Sequence, residues 1–171
     1  MTNQTFNPRE YRNTLGRFAT GVTIVTALEN EKPHGMTANA FLSVSLDPPL
    51  VLVSLDNRSH MHRILSAAGI YGVSVLAEDQ WALSDHFAGR TVAGVEIRFM
   101  RRAGAMLVEG AIACFVVRVR DVHAAGDHTL YVGTVEHFED REDKPLLFYG
   151  GKYEQLKVED QAIRTNEGSA R

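Results

Sequence analysis

The chain has 171 residues, the size of one domain with a short tail, and its 44% hydrophobic content supports a real core. A net charge of −3 argues against a nucleic-acid binder, which would carry a basic patch. The longest apolar runs stay under ten residues, and the opening MTNQTFNPREYRN lacks the basic start and apolar core of a signal peptide, so neither a membrane partner nor export is expected and the chain reads as cytoplasmic.

In chain order, Asn7 caps a helix expected over Asn7–Thr20. Pro8 suits the first helical position, Glu10 follows three residues after the cap, and Tyr11, Leu15 and Phe18 form a face expected to pack in the core. Gly21 stops the helix, and the β-branched Val22–Leu28 reads as a strand. Residues Glu29–Pro33 turn the chain into a small polar segment, Gly35–Ala40. Glycine, alanine and threonine there let a flat ligand approach the backbone, and Thr37 and Asn39 add donors and acceptors; a tight turn entering a sheet is the plain alternative. Phe41–Leu46 alternates like a half-buried strand, Leu50–Leu55 reads as a more buried one, and Pro48-Pro49 breaks the chain between them.

Asp56–Ser59 is a polar turn, and Ser59 caps a helix with Met61, Ile64, Leu65 and Ala68 on its apolar face. A helix N-terminus beside Arg58 can hold a phosphate through free N–H groups and a positive charge, although an ordinary capped helix reads the same way. Ile70–Leu76 is a strand, and Glu78–Phe87 is a short helix carrying Trp81 that ends at Gly89. Arg90–Gly110 has no clear period and is expected to be loop, with one short strand near Glu96–Arg101. Ala111–His123 is a long strand with Ala113, Phe115, Val117 and Val119 on one face and Arg118 and Arg120 on the other. It holds the one cysteine, Cys114, which has no internal disulfide partner and reads as a buried, inert thiol. Ala124–Asp127 turns the chain into Thr129–Phe138, which closes a hairpin. A charged loop, Glu139–Lys144, precedes a last apolar piece, Pro145–Phe148, and the tail from Val158 is polar and expected to be mobile. Six or seven strands joined mostly by turns predict a mainly β protein, a closed antiparallel barrel with helices packed outside, as one domain over 1–157 with a tail over 158–171.

Familiar catalytic signatures are absent: there is no GxGxxG after a strand, no P-loop, no GxSxG and no HExxH. His60 and His62 stand two apart, which on a helix puts them on different faces, so no metal site is expected. No carboxylate pair for glycoside or aspartyl chemistry is evident. Gly126-Asp127-His128-Thr129 places a titratable imidazole in a hairpin turn, where it can meet a ligand; a surface turn with Asp127 bonding its own backbone is the alternative.

Five segments occur in order: GRFATGVTIVT, HGMTANAFLSVSLDPPLVLVSL, FAGR, GDHTLYVG and PLLFYGGKY. Together they closely resemble the short-chain NAD(P)H:flavin oxidoreductases, the reductase components of two-component flavin-dependent monooxygenases. Phenol and 4-hydroxyphenylacetate hydroxylase reductases are the nearest types, and the likeness spans about Tyr11 to Leu156. It implies a flavin-binding split β-barrel, a homodimer with flavin near the subunit interface, and a separate monooxygenase component that receives reduced flavin.

Carried over by position, the resemblance implies that Thr37, Ala38, Asn39 and Ala40 run beside the isoalloxazine and ribityl chain. Ser54 and Leu55, with the turn Asn57, Arg58, Ser59 and His60, would hold the ring edge and the phosphate, and Ala88, Gly89 and Arg90 would close over the flavin. Gly126, Asp127 and His128 would meet the nicotinamide nucleotide, bordered by Phe148, Tyr149, Gly150, Gly151 and Tyr153. Many relatives have serine where this chain has Ala40, so one hydroxyl contact is missing. The likeness favours FAD, with FMN second, and NADH over NADPH because no arginine cluster for a 2′-phosphate is visible. Hydride transfer from nicotinamide to flavin N5 needs stacked rings more than an acid or base, so no catalytic side chain is expected. The alternative function is a flavin store or shuttle of the same barrel type without efficient NADH oxidation; Gly126-Asp127-His128 favours the enzyme.

Overall fold

The computed structural model describes residues 7–90 and 92–157, so the polar tail expected from Val158 lies outside the described residues. Asn7 starts the first helix as its side chain allows: Oδ1 accepts from the Arg9 and Glu10 N–H groups at 2.9 and 3.4 Å, and Pro8 leads α1 (Pro8–Leu15). The helix stops at Gly16, well short of Thr20. Its apolar face is not core: Tyr11, Leu15 and Phe18 are 57%, 56% and 78% exposed. Helical spacing marks an apolar face without saying what covers it.

The strands follow in order. β1 (Thr20–Gly21) is a two-residue piece, and β2 (Thr23–Glu29) and β3 (Lys32–Ala38) form a hairpin turned at Asn30 and Glu31. Most of the small polar segment is therefore strand, with only Asn39 and Ala40 outside the ladder. Next come β4 (Phe41–Leu46), β5 (Pro49–Asp56) and, after α2 (His60–Ala68), β6 (Ile70–Val75). A 3₁₀ turn over Glu78–Gln80 leads into α3 (Trp81–Phe87). Two short strands, β7 (Phe99–Arg102) and β8 (Ala105–Val108), precede the long pair β9 (Ala113–Ala125) and β10 (His128–Asp140). The hairpin β11 (Leu146–Tyr149) and β12 (Lys152–Gln155) ends the described chain.

Seven strands make one antiparallel sheet in the order β3-β2-β6-β9-β10-β5-β4. Its edge strands, β3 and β4, are sequence neighbours joined only by Asn39 and Ala40. In a flat sheet seven strands wide the edges would lie about 29 Å apart, whereas the step from Ala38 to Phe41 spans at most about 11 Å. The sheet must therefore roll up, and the Ser54 N–H donating to Ala40 O at 3.1 Å extends the β4–β5 ladder into the Asn39–Ala40 link. Pro33, which has no N–H to give, is tolerated because β3 is an edge.

Inside the roll, Val25, Val53, Leu55, Tyr71, Val117 and Tyr131 pack against Met61, Ile64 and Leu65 of α2. Ser59 caps that helix, accepting from the His62 N–H at 3.1 Å. Each buried aliphatic side chain of α2 contributes about 1.5–3 kcal/mol relative to exposure. A second cluster, including Val22, Ile24, Leu76 and Leu146, is covered by Leu83 and Phe87 of α3.

Residues 92–98 are loop as expected, and the short strand expected near Glu96–Arg101 is β7, which β8 extends into a hairpin turned by Ala103 and Gly104 at φ 42° and 87°. Its strands are four residues long, too short for a period to show. The hairpin covers one face of β9 and buries Cys114 and Val116 in a third cluster. Phe115, Val117 and Val119 face the main core as their alternation requires, Ala113 is half-buried, and Arg118 and Arg120 are exposed. Burial raises the Cys114 thiol above its ordinary range.

Candidate functional site

At the seam of the roll, exposed Asn39 and Ala40 form one wall of a half-open cleft of about 1120 Å³. Phe148, Gly150 and Gly151 face them from the β11–β12 hairpin, and the segment after α1 lines the remaining side. The hairpin is tied down twice: β11 pairs with β1, and the Gly150 N–H donates to Gly16 O at 2.9 Å. Its turn places Gly150 and Gly151 at φ 57° and 85°, a conformation that glycine takes without strain. Thr20, also on the cleft wall, has a buried hydroxyl without a protein partner.

A smaller cavity of about 140 Å³ shares Asn39 and Phe148 with the cleft and is completed by Thr37, Ala88, Arg90 and Tyr153. Thr37 Oγ1 donates to Ser84 O at 2.6 Å, fixing α3 to β3. The Tyr153 hydroxyl lies 2.7 Å from Asp85 Oδ1 and 2.8 Å from Ser84 Oγ. Its single proton goes to the carboxylate, and the Ser84 hydroxyl donates back to the phenol oxygen. Burial, then the bond to Asp85, raises the Tyr153 phenol above its ordinary range. Arg90 donates to the same Asp85 oxygen at 2.8 Å. Ser84 and Asp85 are absent from the sequence-based site, because nothing in their spacing separates them from other polar residues on a short helix.

The remaining site candidates form a second group along the end of β5. Ser54 adjoins Ala40 through the bond that extends the β4–β5 ladder, while the Leu55 side chain is fully buried in the core and leaves only its main chain for a ligand. Three residues on, the Asn57 N–H donates to Asp127 O at 3.0 Å, and Thr129 Oγ1 donates to Asn57 Oδ1 at 2.7 Å. This joins the Asn57–Ser59 turn to the hairpin turn of Gly126 and Asp127. His128 Nδ1 is 2.7 Å from Asp127 Oδ1, a bond that lowers the Asp127 pKa below the usual carboxylate range. The expected nicotinamide contacts therefore fall in two places, Phe148–Tyr153 at the cleft and Gly126–His128 beyond the end of β5.

The turn before α2 is more internally satisfied than its sequence shows. Arg58 donates to both Asp56 carboxylate oxygens, at 3.1 and 2.8 Å, and holds that carboxyl well below its usual range. His60 Nε2 lies 2.8 Å from Glu29 Oε2, and Arg63 donates to His60 Nδ1 at 2.8 Å and to Glu29 Oε1 at 3.0 Å. The one ring proton therefore sits on Nε2 and points at the carboxylate. His34 meets His60 edge to face, with ring centroids 4.6 Å apart. Burial, then the neighbouring His60, lowers the His34 pKa from 6.5. Among the described residues no three His, Cys, Asp or Glu side chains gather as a metal-binding group. No helix among them is long and apolar enough to cross a membrane.

The cleft and the small cavity bring together the small residues Ala38 and Ala40, the polar Thr37 and Asn39, the Phe148 ring and the Arg90 guanidinium, the mix of apolar and polar groups usual in a small-molecule pocket. The fold is a split antiparallel barrel, and the cleft at its seam is the candidate site. Comparison with known proteins supplies the family. Residues 15–157 match the family described as flavin reductase like domain. The chain is 49% identical over 154 residues to an NADH-dependent flavin reductase from a Rhodococcus species, covering 88% of each chain. It is 42% identical over 139 residues to the reductase component of 4-hydroxyphenylacetate 3-monooxygenase from Thermus thermophilus, covering 81% of this chain and 89% of that one. Among solved structures, flavin reductase PheA2 superposes with a TM-score of 0.87 at 42% identity, covering 90% of this chain and all of the other. The chain belongs to the flavin reductase family and is an oxidoreductase.

Proposed function

We propose that this enzyme uses NADH to reduce FAD, or FMN as second choice, and delivers the reduced flavin to a separate monooxygenase component in the cytoplasm. Two adjoining cavities around Asn39 and Phe148 carry the reading, because they bring the small-residue wall, the aromatic rim and Arg90 to one place. Bound flavin supplies the hydride acceptor, and the chain supplies position. Thr37–Ala40 align the ring, and main-chain groups at Ser54 and Leu55 border its edge. The Phe148–Tyr153 hairpin borders the nicotinamide at the cleft, and His128 meets NADH from the turn beyond the end of β5. The named activities of the Rhodococcus and Thermus relatives support NADH as reductant and a monooxygenase as recipient.

The same reading includes a homodimer. Leu42, Val44 and Leu46 on β4 are 59%, 45% and 91% exposed, and α1 and its extension add Leu15 and Phe18. An apolar edge strand beside an apolar helix face is a surface that a second copy would cover.

The test follows the visible spectrum during FAD and FMN titration and then NADH consumption with each flavin. A perturbed flavin spectrum with flavin-dependent NADH oxidation is expected. Binding without oxidation would mark a flavin store, and no spectral change with either flavin would remove the reading. Light scattering at micromolar protein should give twice the mass of one chain; a fully active monomer would refute the dimer.

A further inference from the structure

Asp85 belongs to neither cavity wall, yet it connects the residues that do. Its side chain is only 19% exposed, and an ionised carboxylate at that depth needs partners. It has two side-chain partners among the described residues, and both line the small cavity. Arg90 reaches it at 2.8 Å from the loop after α3, and the Tyr153 hydroxyl reaches it at 2.7 Å from β12. The Arg90 N–H also donates to Asp85 O at 3.0 Å, so the loop folds back onto the same residue. Only one of the five guanidinium donors is used by this carboxylate, and the Arg90 side chain stays 62% exposed. Among the described residues Arg90 is also the one charged residue lining the small cavity. A held, exposed arginine on the cavity wall matches a phosphate group, a role the resemblance gave to the Asn57–His60 turn, where Arg58 is engaged by Asp56.

We propose that Asp85 is a positioning residue for the flavin phosphate: it ties Arg90 to Tyr153 at the wall of the small cavity, so that the guanidinium is oriented before flavin arrives. The proposal rests on the flavin reading above. It assigns Asp85 no contact with the ligand and no part in hydride transfer. Its effect is preorganisation, because an arginine freed from Asp85 must be ordered at binding.

Riboflavin, which carries the ring and ribityl chain but no phosphate, separates positioning from a general structural role. Dissociation constants of riboflavin, FMN and FAD are measured by flavin fluorescence for the wild type, Asp85→Asn, Arg90→Ala and the double variant. Asp85→Asn should weaken FMN and FAD by about five- to tenfold, the scale of one charge-assisted contact at a half-exposed site, and leave riboflavin unchanged. In the Arg90→Ala background the same substitution should add little, since its effect runs through the arginine. Equal weakening of riboflavin and FMN, unchanged or tighter FMN binding, or full additivity in the double variant would overturn the proposal. If Asp85→Asn does not fold, Asp85→Glu displaces the carboxylate by one methylene and the same FMN-to-riboflavin comparison is read on it, with a smaller selective loss expected. A wild type that binds none of the three would refute the flavin reading itself, whereas flavin binding with no phosphate-selective loss refutes only the role of Asp85.

Discussion

Replacing His128 by alanine tests whether the Gly126–His128 turn serves the nicotinamide. With Nδ1 placed 2.7 Å from Asp127 Oδ1, Nε2 is the ring nitrogen left to meet NADH. The His128 side chain is 42% exposed, so its packing contribution is small. Losing one neutral hydrogen bond to NADH costs about 0.5–1.5 kcal/mol, a two- to twelvefold fall in kcat/KM. The fall should appear in the Michaelis constant for NADH, with flavin affinity unchanged. Loss of the exposed pair with Asp127 should lower Tm by no more than about 2–4 °C. Steady-state kinetics over NADH concentration at saturating flavin, together with a melting curve, reads all of these. A large drop in kcat with an unchanged Michaelis constant would mean proton donation instead of binding. NADH parameters equal to wild type would refute the nicotinamide role of this turn.

Three further outcomes are expected. Asn39→Leu removes the polar group shared by both cavities and should weaken flavin binding about two- to twelvefold in a fluorescence titration; unchanged affinity places Asn39 outside the site. Gly35→Ala puts a methyl 2.5 Å from Phe87 Cε1, which forces the ring and the end of α3 outward; about 1–3 kcal/mol of stability should be lost in denaturant melts, with weaker flavin binding because Ala88–Arg90 move too. His34 is held below its ordinary pKa of 6.5, so between its folded pKa and 6.5 the unfolded chain binds more protons and stability falls as pH drops through that window. Glu29, lowered from 4.5 first by its bond from His60, adds a further loss as pH falls through and below 4.5. In Tm measured from pH 5 to 7.5, His34→Gln should flatten the upper part of the acid slope; the same slope as wild type would refute that assignment.

The sequence by itself determined the elements whose signals are local. Asn7 and Ser59 cap helices through their own side chains, Thr23–Leu28 and Leu50–Leu55 lie within strands because β-branched and apolar residues fit a sheet, and Gly126 turns a hairpin at φ 65°. The ordered motifs also identified the small-residue wall and the glycine turn at Gly150 that line the cleft. Tertiary structure decided what depends on distant partners. Whether the Tyr11–Phe18 face is covered depends on where α1 lies, so it proved exposed despite its spacing. Cys114 and Val116 are buried by a hairpin too short to show a period. Arg58 looked like a free cation in sequence but is held by Asp56, which stands only two residues away. Asp85 acquires its place only because rolling the sheet brings α3, β3 and β12 together across a separation of 68 residues between Asp85 and Tyr153. Caps, turns and alternation act over a few residues and can be read from them, whereas closure of the barrel sets which side chains share a cavity, and that depends on the geometry of the whole sheet.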